Sequence, residues 1–500
     1  MPESSRADGA PSDARDPRRW AALVVIALST LMVVLDSSIV TIALPKAQAQ
    51  LGMADADRQW VITAYALAFG GLLLIGGRIG DFAGRKRAFI IGVIGFAGAS
   101  ALGGLAGDPS MLIAARALQG VFAALLAPAA LSLLVVTFAE PRERAKAFGV
   151  YGAVQGAGGA LGLVLGGLLT EYVDWRWCLL VNVPIAIAVL IAAVPSLRQS
   201  KAEGERHYDV PGAILITSSL TAIVYAFALA ATPGMGWFAP LTLVLLVGGI
   251  GLLVAFVVVE ARVSHPLLPL RVVLNRNRGG ALLAGLLLFG GMFGLFLFLT
   301  YYFQVNLGYS PVQAGLAFLP FSAGIILTST LAASVLQRFG AKPLLVLGTA
   351  LGTMGIVLLS TLNEQSTYAN GVLAPLLIMS VGLGAAFAPL SYLALHGVDP
   401  GDSGVASALV NVTQQVGGAL GTALLNTIFL SVFAGYLADH PGTTESSLSP
   451  YLAGYNVAFL VSAAFFAASL VAALFLPRAV STTRAGGRTG QASALARKEA

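Results

Sequence analysis

Apolar residues run along this chain in long unbroken blocks, not in alternation with polar ones. Fourteen blocks recur, at 21–44, 60–80, 88–107, 111–137, 147–170, 177–197, 211–231, 238–259, 280–303, 314–336, 343–361, 371–395, 405–433 and 453–476. Short polar stretches separate them. About 20 apolar residues in an α-helix cross ~30 Å of hydrocarbon at 1.5 Å per residue. A membrane β-barrel would show shorter segments of alternating polarity. The pattern therefore predicts an all-α polytopic membrane protein with 14 transmembrane helices. The first block is too long for a cleaved signal and carries Asp36, so it is read as the first span.

Charge changes the picture from a count to a topology. Only 10% of the 500 residues are Asp, Glu, Lys or Arg, against 57% hydrophobic. A soluble domain carries about 25% charged residues. With an even number of spans both termini share a side. On that side fall 25 of the 29 basic residues, and the opposite loops hold only Lys46, Arg58 and Arg176. Cytoplasmic loops gather Lys and Arg in this way, which places both termini in the cytoplasm of a multi-pass protein of the cell membrane. One loop dissents: 396–404 has Asp399 and Asp402 and no cation. It stays cytoplasmic because the neighbouring spans require it. The net charge of +6 follows from topology and does not argue for nucleic acid.

A repeat divides the chain. Residues 155–162 read QGAGGALG and residues 414–421 read QQVGGALG, an offset of 259. Asp81, Gly84 and Lys86 lie 256 residues before Gln337, Gly340 and Lys342. The duplicated unit holds six spans, so the plan is six, two, six. A cytoplasmic tail (1–19, read as disordered) precedes a six-helix bundle (20–197). A linker with two extra spans lying outside the bundles (198–278) leads to a second six-helix bundle (279–476). A cytoplasmic tail (477–500) ends the chain. Two related bundles with a site between them are transporter architecture.

Two charges remain inside the hydrocarbon, Asp36 and Arg116. A charge there costs at least about 2.5–3.5 kcal/mol, so it faces a cavity or a partner. Counting along oppositely running helices puts both roughly 8 Å below the outer surface of a ~30 Å core. A carboxylate removed from water favours its protonated form, the property a proton-coupling group needs. Other readings stand beside this one. Asp36 is permanently paired or caps a local turn with Ser37 and Ser38, and Arg116 snorkels to the interface. Gly158, Gly162 and Gly166 recur every four residues and share a helix face, with Gly167 beside them. Small residues at that spacing let helices approach closely. Trp60, Tyr65, Gln119, Gln155, Tyr301, Gln304, Asn411 and Gln415 are candidates to line a substrate cavity. The competing readings are interfacial anchoring for the aromatics and helix–helix bonding for the amides.

Several reaction classes are excluded. There is no G-x-x-x-x-G-K-[ST] phosphate loop, so direct ATP drive is not expected. The four histidines lack metal-ligand spacing, Cys178 stands alone, and no Ser–His–acid set is evident. The chain is not expected to be an enzyme or to hold a metal or other cofactor.

Particular motifs bring a family into view. LDSSIVTIALP (35–45) is similar to a first-helix motif of drug–proton antiporters. Gly77, Asp81, Gly84, Arg85 and Lys86 fit the loop signature G-x-x-x-D-x-x-G-R-[KR]. Arg116, Gln119 and Gly120 fit R-x-x-Q-G. Gly158, Gly162, Gly166 and Gly167 resemble G-x-x-x-G-P-x-x-G-G, with Leu163 where the motif has proline. WRWCLLVNVP (175–184) resembles a stretch of the fourteen-span branch. Over residues 20–476 the chain resembles the major facilitator superfamily, and within it the fourteen-span drug–proton antiporters. That resemblance implies a major facilitator fold and a monomeric antiporter in the lipid bilayer. It implies proton-driven export of hydrophobic or weakly cationic small compounds such as drugs and antibiotics. Asp36 and Arg116 are then the proton-coupling pair, residues 77–87 a gating loop, and the span-five glycines the antiporter-motif helix. The alternative is an importer or uniporter of a small metabolite.

Overall fold

The computed structural model describes residues 18–138, 140–200, 209–230, 235–264, 266–268, 270–396, 398, 403–441, 444 and 447–477. Nearly all of both expected tails, much of the dissenting loop 396–404, and the side chains of Asp81, Gln155 and Gln337 lie outside that description. All regular structure among the described residues is helical. The helices are α1 (Arg18–Leu51), α2 (Trp60–Ala83), α3 (Arg85–Gly104), α4 (Pro109–Thr137), α5 (Pro141–Tyr172), α6 (Trp177–Leu180), α7 (Asn182–Ser196), α8 (Val210–Ala230), α9 (Pro240–Glu260), α10 (Leu270–Val273), α11 (Arg276–Tyr301), α12 (Pro311–Ala317), α13 (Leu319–Phe339), α14 (Ala341–Leu359), α15 (Leu373–Leu395), α16 (Ser403–Asp439) and α17 (Leu448–Phe475). Each apolar block coincides with one helix or two consecutive ones. Thirteen helices among the described residues are long and apolar enough to cross a membrane. The 32-residue α5 packs along α1.

Local signals set the helix ends. Asp108 caps α4: its carboxylate accepts the Met111 amide at 3.0 Å, and Pro109 follows at the first helical position. Proline fits there because that amide has no helical partner. Hydrogen bonds from the Ser110 hydroxyl and then the Met111 amide hold the Asp108 carboxyl below its usual range. Gly84 joins α2 to α3 at φ 111° and Gly340 joins α13 to α14 at φ 82°, a region that favours glycine. Lys86 Nζ then donates to Val194 O at 2.7 Å, near the end of α7. Lys342 Nζ donates to Leu474 O at 2.6 Å and Leu476 O at 2.5 Å, at the end of α17. A cation at a helix C-terminus satisfies its carbonyls and its dipole. The weaker of the two sequence matches thus recurs as the same local device.

The glycine match recurs too. A Cβ on Gly162 of α5 would lie 2.8 Å from Leu35 O of α1, and one on Gly421 of α16 would lie 2.0 Å from Gly290 O of α11. The α1–α5 and α11–α16 pairs are therefore close-packed at the repeated segment. α5 runs without interruption past Leu163.

The two extra helices pack differently from one another. α9 is peripheral, with Val244, Val247 and Val254 exposed. α8 instead occupies a seam. Its Leu220 and Val224 form one apolar cluster with Ala66 and Leu67 of α2 and with Val416, Ala419 and Ala423 of α16. Thr427 Oγ1 donates to Phe227 O at 2.7 Å to fix that contact.

Candidate functional site

Asp36 lies in the middle of α1 and is fully buried. Two helices, α4 and α7, bring three donors to it. Arg116 Nη1 of α4 reaches Oδ2 at 2.5 Å. Gln119 Nε2, one helical turn on, reaches Oδ1 at 2.8 Å. Asn182 Nδ2, at the start of α7, also reaches Oδ1 at 2.8 Å. Ser100 Oγ of α3 accepts from Gln119 at 3.0 Å and Asn182 at 2.9 Å, and donates to Leu179 O at 2.8 Å. Arg116 is further held by Gln119 Oε1 at 2.8 Å and Val61 O at 3.0 Å, and its Cζ sits 4.4 Å from the Tyr65 ring centroid. Among the described residues the Tyr65 hydroxyl and Asn182 Oδ1 have no hydrogen-bond partner.

This geometry removes two of the readings left open above. The Ser37 and Ser38 hydroxyls bond carbonyls of their own helix, so they do not cap a turn with Asp36. Arg116 is 2% exposed and does not snorkel. A buried ion pair is weak evidence for stability, because desolvation offsets most of its attraction. Inside a membrane such a pair points to function.

A cavity of about 880 Å³ adjoins the pair. Tyr65 and Arg116 line its deep end. Phe293 and Phe296 of α11, Phe321 of α13 and Asn411, Gln414 and Gln415 of α16 line the far wall. Gly77, Arg78 and Arg85 line it near the α2–α3 turn. Asp36 is not on the wall: Arg116 and Tyr65 stand between it and the cavity. Of the expected lining residues, Tyr65, Asn411 and Gln415 are placed there. Trp60, Gln119, Tyr301 and Gln304 are not. Trp60 stacks toward Tyr225 of α8, centroids 6.1 Å apart. The Gln119 amide is consumed by the Asp36 network. The Tyr301 hydroxyl donates to Gln48 Oε1, and Gln304 Nε2 donates to Ile42 O at 2.9 Å. Both tie α1 to the α11 region at the end away from the α2–α3 turn. Gln155 falls outside the described side chains.

The loop and the glycines take definite places. Gly77 lies against the Pro128 ring, and Arg85 N donates to Ser200 O at 3.0 Å. Gly158, Gly162 and Gly166 face Val34, Leu35 and Ile39 of α1, while Gly167 faces Pro311 and Val312 of α12. The Asp81 side chain of the expected gating loop falls outside the described residues.

Residues 26–422 match the Major Facilitator Superfamily. The chain belongs to that superfamily. This member is 50% identical over 481 residues to a puromycin resistance protein of Streptomyces alboniger, covering 96% of this chain and 95% of that one. It is 41% identical over 438 residues to a cephamycin export protein of Amycolatopsis lactamdurans, covering 86% and 90%. Its fold is similar to that of a bacterial homolog of the lysosomal transporter Spinster, solved inward-facing and unoccupied. The TM-score is 0.64 at 15% identity, covering 93% of this chain and 98% of that one. The protein is thus a multi-pass membrane transporter of the major facilitator superfamily and not an enzyme.

Sequence reasoning missed Asn182 and Ser100 in this transporter. Asn182 lies in the WRWCLLVNVP stretch, where a lone amide in an apolar run was the available signal. Gln119→Leu tests the network, since Gln119 bonds three of its members. A hydrogen bond to a charged group contributes about 1.5–3 kcal/mol, so the variant is expected to lose about 2–3 kcal/mol of stability. Thermal unfolding of the purified protein in detergent measures this.

Proposed function

We propose that the protein is a proton-coupled antiporter that exports hydrophobic drug-like or antibiotic compounds by alternating access. The observation that carries this reading is the fully buried Asp36, held by Arg116 directly behind a cavity that α1, α2 and α4 share with α11, α13 and α16. The relatives named for puromycin resistance and cephamycin export support cargo of the antibiotic kind. The proposed plan is 14 spans as six, two and six, with bundles over 20–197 and 279–476. Both termini are cytoplasmic, and the protein works as a monomer in the cell membrane without a cofactor. In that topology the cavity opens toward the cytoplasm.

Protonation of Asp36 removes the charge that holds Arg116. The guanidinium, always protonated, then keeps only the Tyr65 face and neutral acceptors, and the water of the cavity becomes its better partner. Proton binding thereby redraws the cavity wall without the cargo touching Asp36. Gly77, Asp81, Gly84, Arg85 and Lys86 act as the cytoplasmic gate, and Gly158, Gly162, Gly166 and Gly167 as the surface on which α5 moves. The aromatic wall suits apolar cargo. A cation meets Arg78, Arg85 and Arg116 and no carboxylate among the described lining residues, so a weak base is favoured in its uncharged form.

In inverted vesicles, a lipophilic dye is expected to accumulate when a proton gradient is present and to leave when a protonophore collapses it. Adding dye is expected to release protons from the lumen. Dye movement indifferent to the protonophore would support the uniporter reading and sink this one.

A further inference from the structure

The end of the molecule away from the cavity mouth is tied by the Tyr301–Gln48 and Gln304–Ile42 bonds, and one charged side chain is enclosed beside them. Arg58 sits in the turn between α1 and α2 and is 2% exposed. Its guanidinium carbon lies 4.2 Å from the Tyr301 ring centroid of α11 and 5.2 Å from that of Phe429 of α16. Nε donates to Asn426 Oδ1 of α16 at 3.2 Å, and Nη1 reaches Asp55 at 3.4 Å. Asn426 Nδ2 returns a bond to Asp55 O at 3.4 Å. Thus a charge from the first-half side penetrates an aromatic and amide pocket built entirely by second-half helices. Topology assigned Arg58 to a loop; nothing in its sequence neighbourhood marked it further.

We propose that Arg58 is the latch of the outer exit, and that the Tyr301, Phe429 and Asn426 pocket is a guanidinium-binding site that must empty before cargo can leave. This deepens the antiporter reading and rests on its alternating access. The physical case is direct. α1 and α2 cannot part from α11 and α16 at this end while the guanidinium is between them. A desolvated Arg over aromatic rings is held firmly, yet Nη2 is buried with no hydrogen-bond partner among the described residues. An unmet buried donor is unfavourable, which keeps the latch reversible. Arg stays charged in proteins, so the guanidinium is not itself a proton switch. Its burial also shields it from salt. Proton control therefore enters at Asp36, and Arg58 sets how far the resting balance lies toward outer closure.

The test measures outer-end distance directly. Spin labels are placed at the exposed positions Ala54 and Ala434 through Ala54→Cys and Ala434→Cys, with Cys178→Ser, in the full chain in lipid nanodiscs. Double electron–electron resonance is recorded without any gradient. The parent is expected to show mainly the short, closed distance. Arg58→Leu is expected to shift the closed-to-open ratio about tenfold or more toward open, the scale of a desolvated cation–aromatic contact. Arg58→Lys, which keeps the charge but not the Nε bond, is expected to fall between, and it carries the test where Arg58→Leu does not fold. In Arg58→Gly, guanidinium chloride below denaturing concentration is expected to restore the short distance, and sodium chloride is not. An unchanged distribution in both Arg58→Leu and Arg58→Lys overturns the latch, as does equal rescue by sodium. Loss of proton coupling at Asp36 would leave these results intact. A parent that never samples an open outer end would count against alternating access instead.

Discussion

Asp36→Asn is expected to abolish gradient-driven export while leaving a folded protein that still binds cargo. Asn has nearly the shape of Asp, and its side-chain oxygen can keep accepting from Gln119 and Asn182. What it loses is the charge, so α1 is held in the form that a proton would create. Accumulation of dye in inverted vesicles is expected to fall at least about tenfold, which a coupling free energy of only 1.4 kcal/mol already supplies. Dye binding is expected to change little, because Asp36 is not on the cavity wall. Full uphill transport by Asp36→Asn would remove Asp36 from the mechanism. The partner substitution is expected to behave differently. Removing one member of a buried pair costs about 3–5 kcal/mol. Asn at position 36 strands Arg116, which borders the cavity and can reach water there. Arg116→Leu strands Asp36, which is fully buried and has no such exit. Arg116→Leu is therefore expected to lower the unfolding temperature more than Asp36→Asn does. The double variant Asp36→Asn, Arg116→Leu is expected to regain part of the loss without regaining transport, since both charges are then gone. A strictly additive double variant would show that the two groups do not depend on one another.

How much of this was legible in the sequence follows from the physics of each signal. The helices were, because a membrane imposes one length and one polarity on every span. The pairing of Asp36 with Arg116 was suggested by depth, because the long count up from the inner end of one span and the short count down from the outer end of an oppositely running span reach nearly the same height. Rotation about the helix axis was not legible. Gln119 is one turn from Arg116 and looked equally fit to face cargo, yet it points into the bundle toward Ser100. Tyr301 and Gln304 looked like wall residues by polarity alone, and they bridge to Gln48 and Ile42 at the closed end. Arg58 was read as a loop cation, and only tertiary packing shows that it enters an aromatic pocket. The repeat was legible as letters, and its meaning lies in the contacts: Lys86 and Lys342 cap helix ends, and the two GGALG segments meet α1 and α11.

Those glycines support a second large effect with its own controls. Alanine ordinarily strengthens a helix over glycine by about 1 kcal/mol. At Gly159 nothing among the described residues lies within 4 Å of the added carbon, so Gly159→Ala is expected to be neutral or slightly stabilising. At Gly421 the carbon would lie 2.0 Å from Gly290 O and 2.4 Å from Gly290 C, all backbone. Backbone cannot rotate away, so α11 and α16 must separate. Overpacking of this kind costs about 1–3 kcal/mol, and Gly421→Ala is expected to lower both the unfolding temperature and transport. Gly162→Ala falls between in stability. Its nearest obstacle, Ser38 Oγ at 2.0 Å, can rotate, and Leu35 O at 2.8 Å must move only slightly. Leu35 directly precedes Asp36, however, so even a small shift of α1 displaces the carboxylate from Arg116, Gln119 and Asn182. Gly162→Ala is therefore expected to impair proton-driven accumulation more than its stability loss predicts, whereas Gly421→Ala impairs both together. Equal behaviour of the two variants would mean that both glycines serve packing alone.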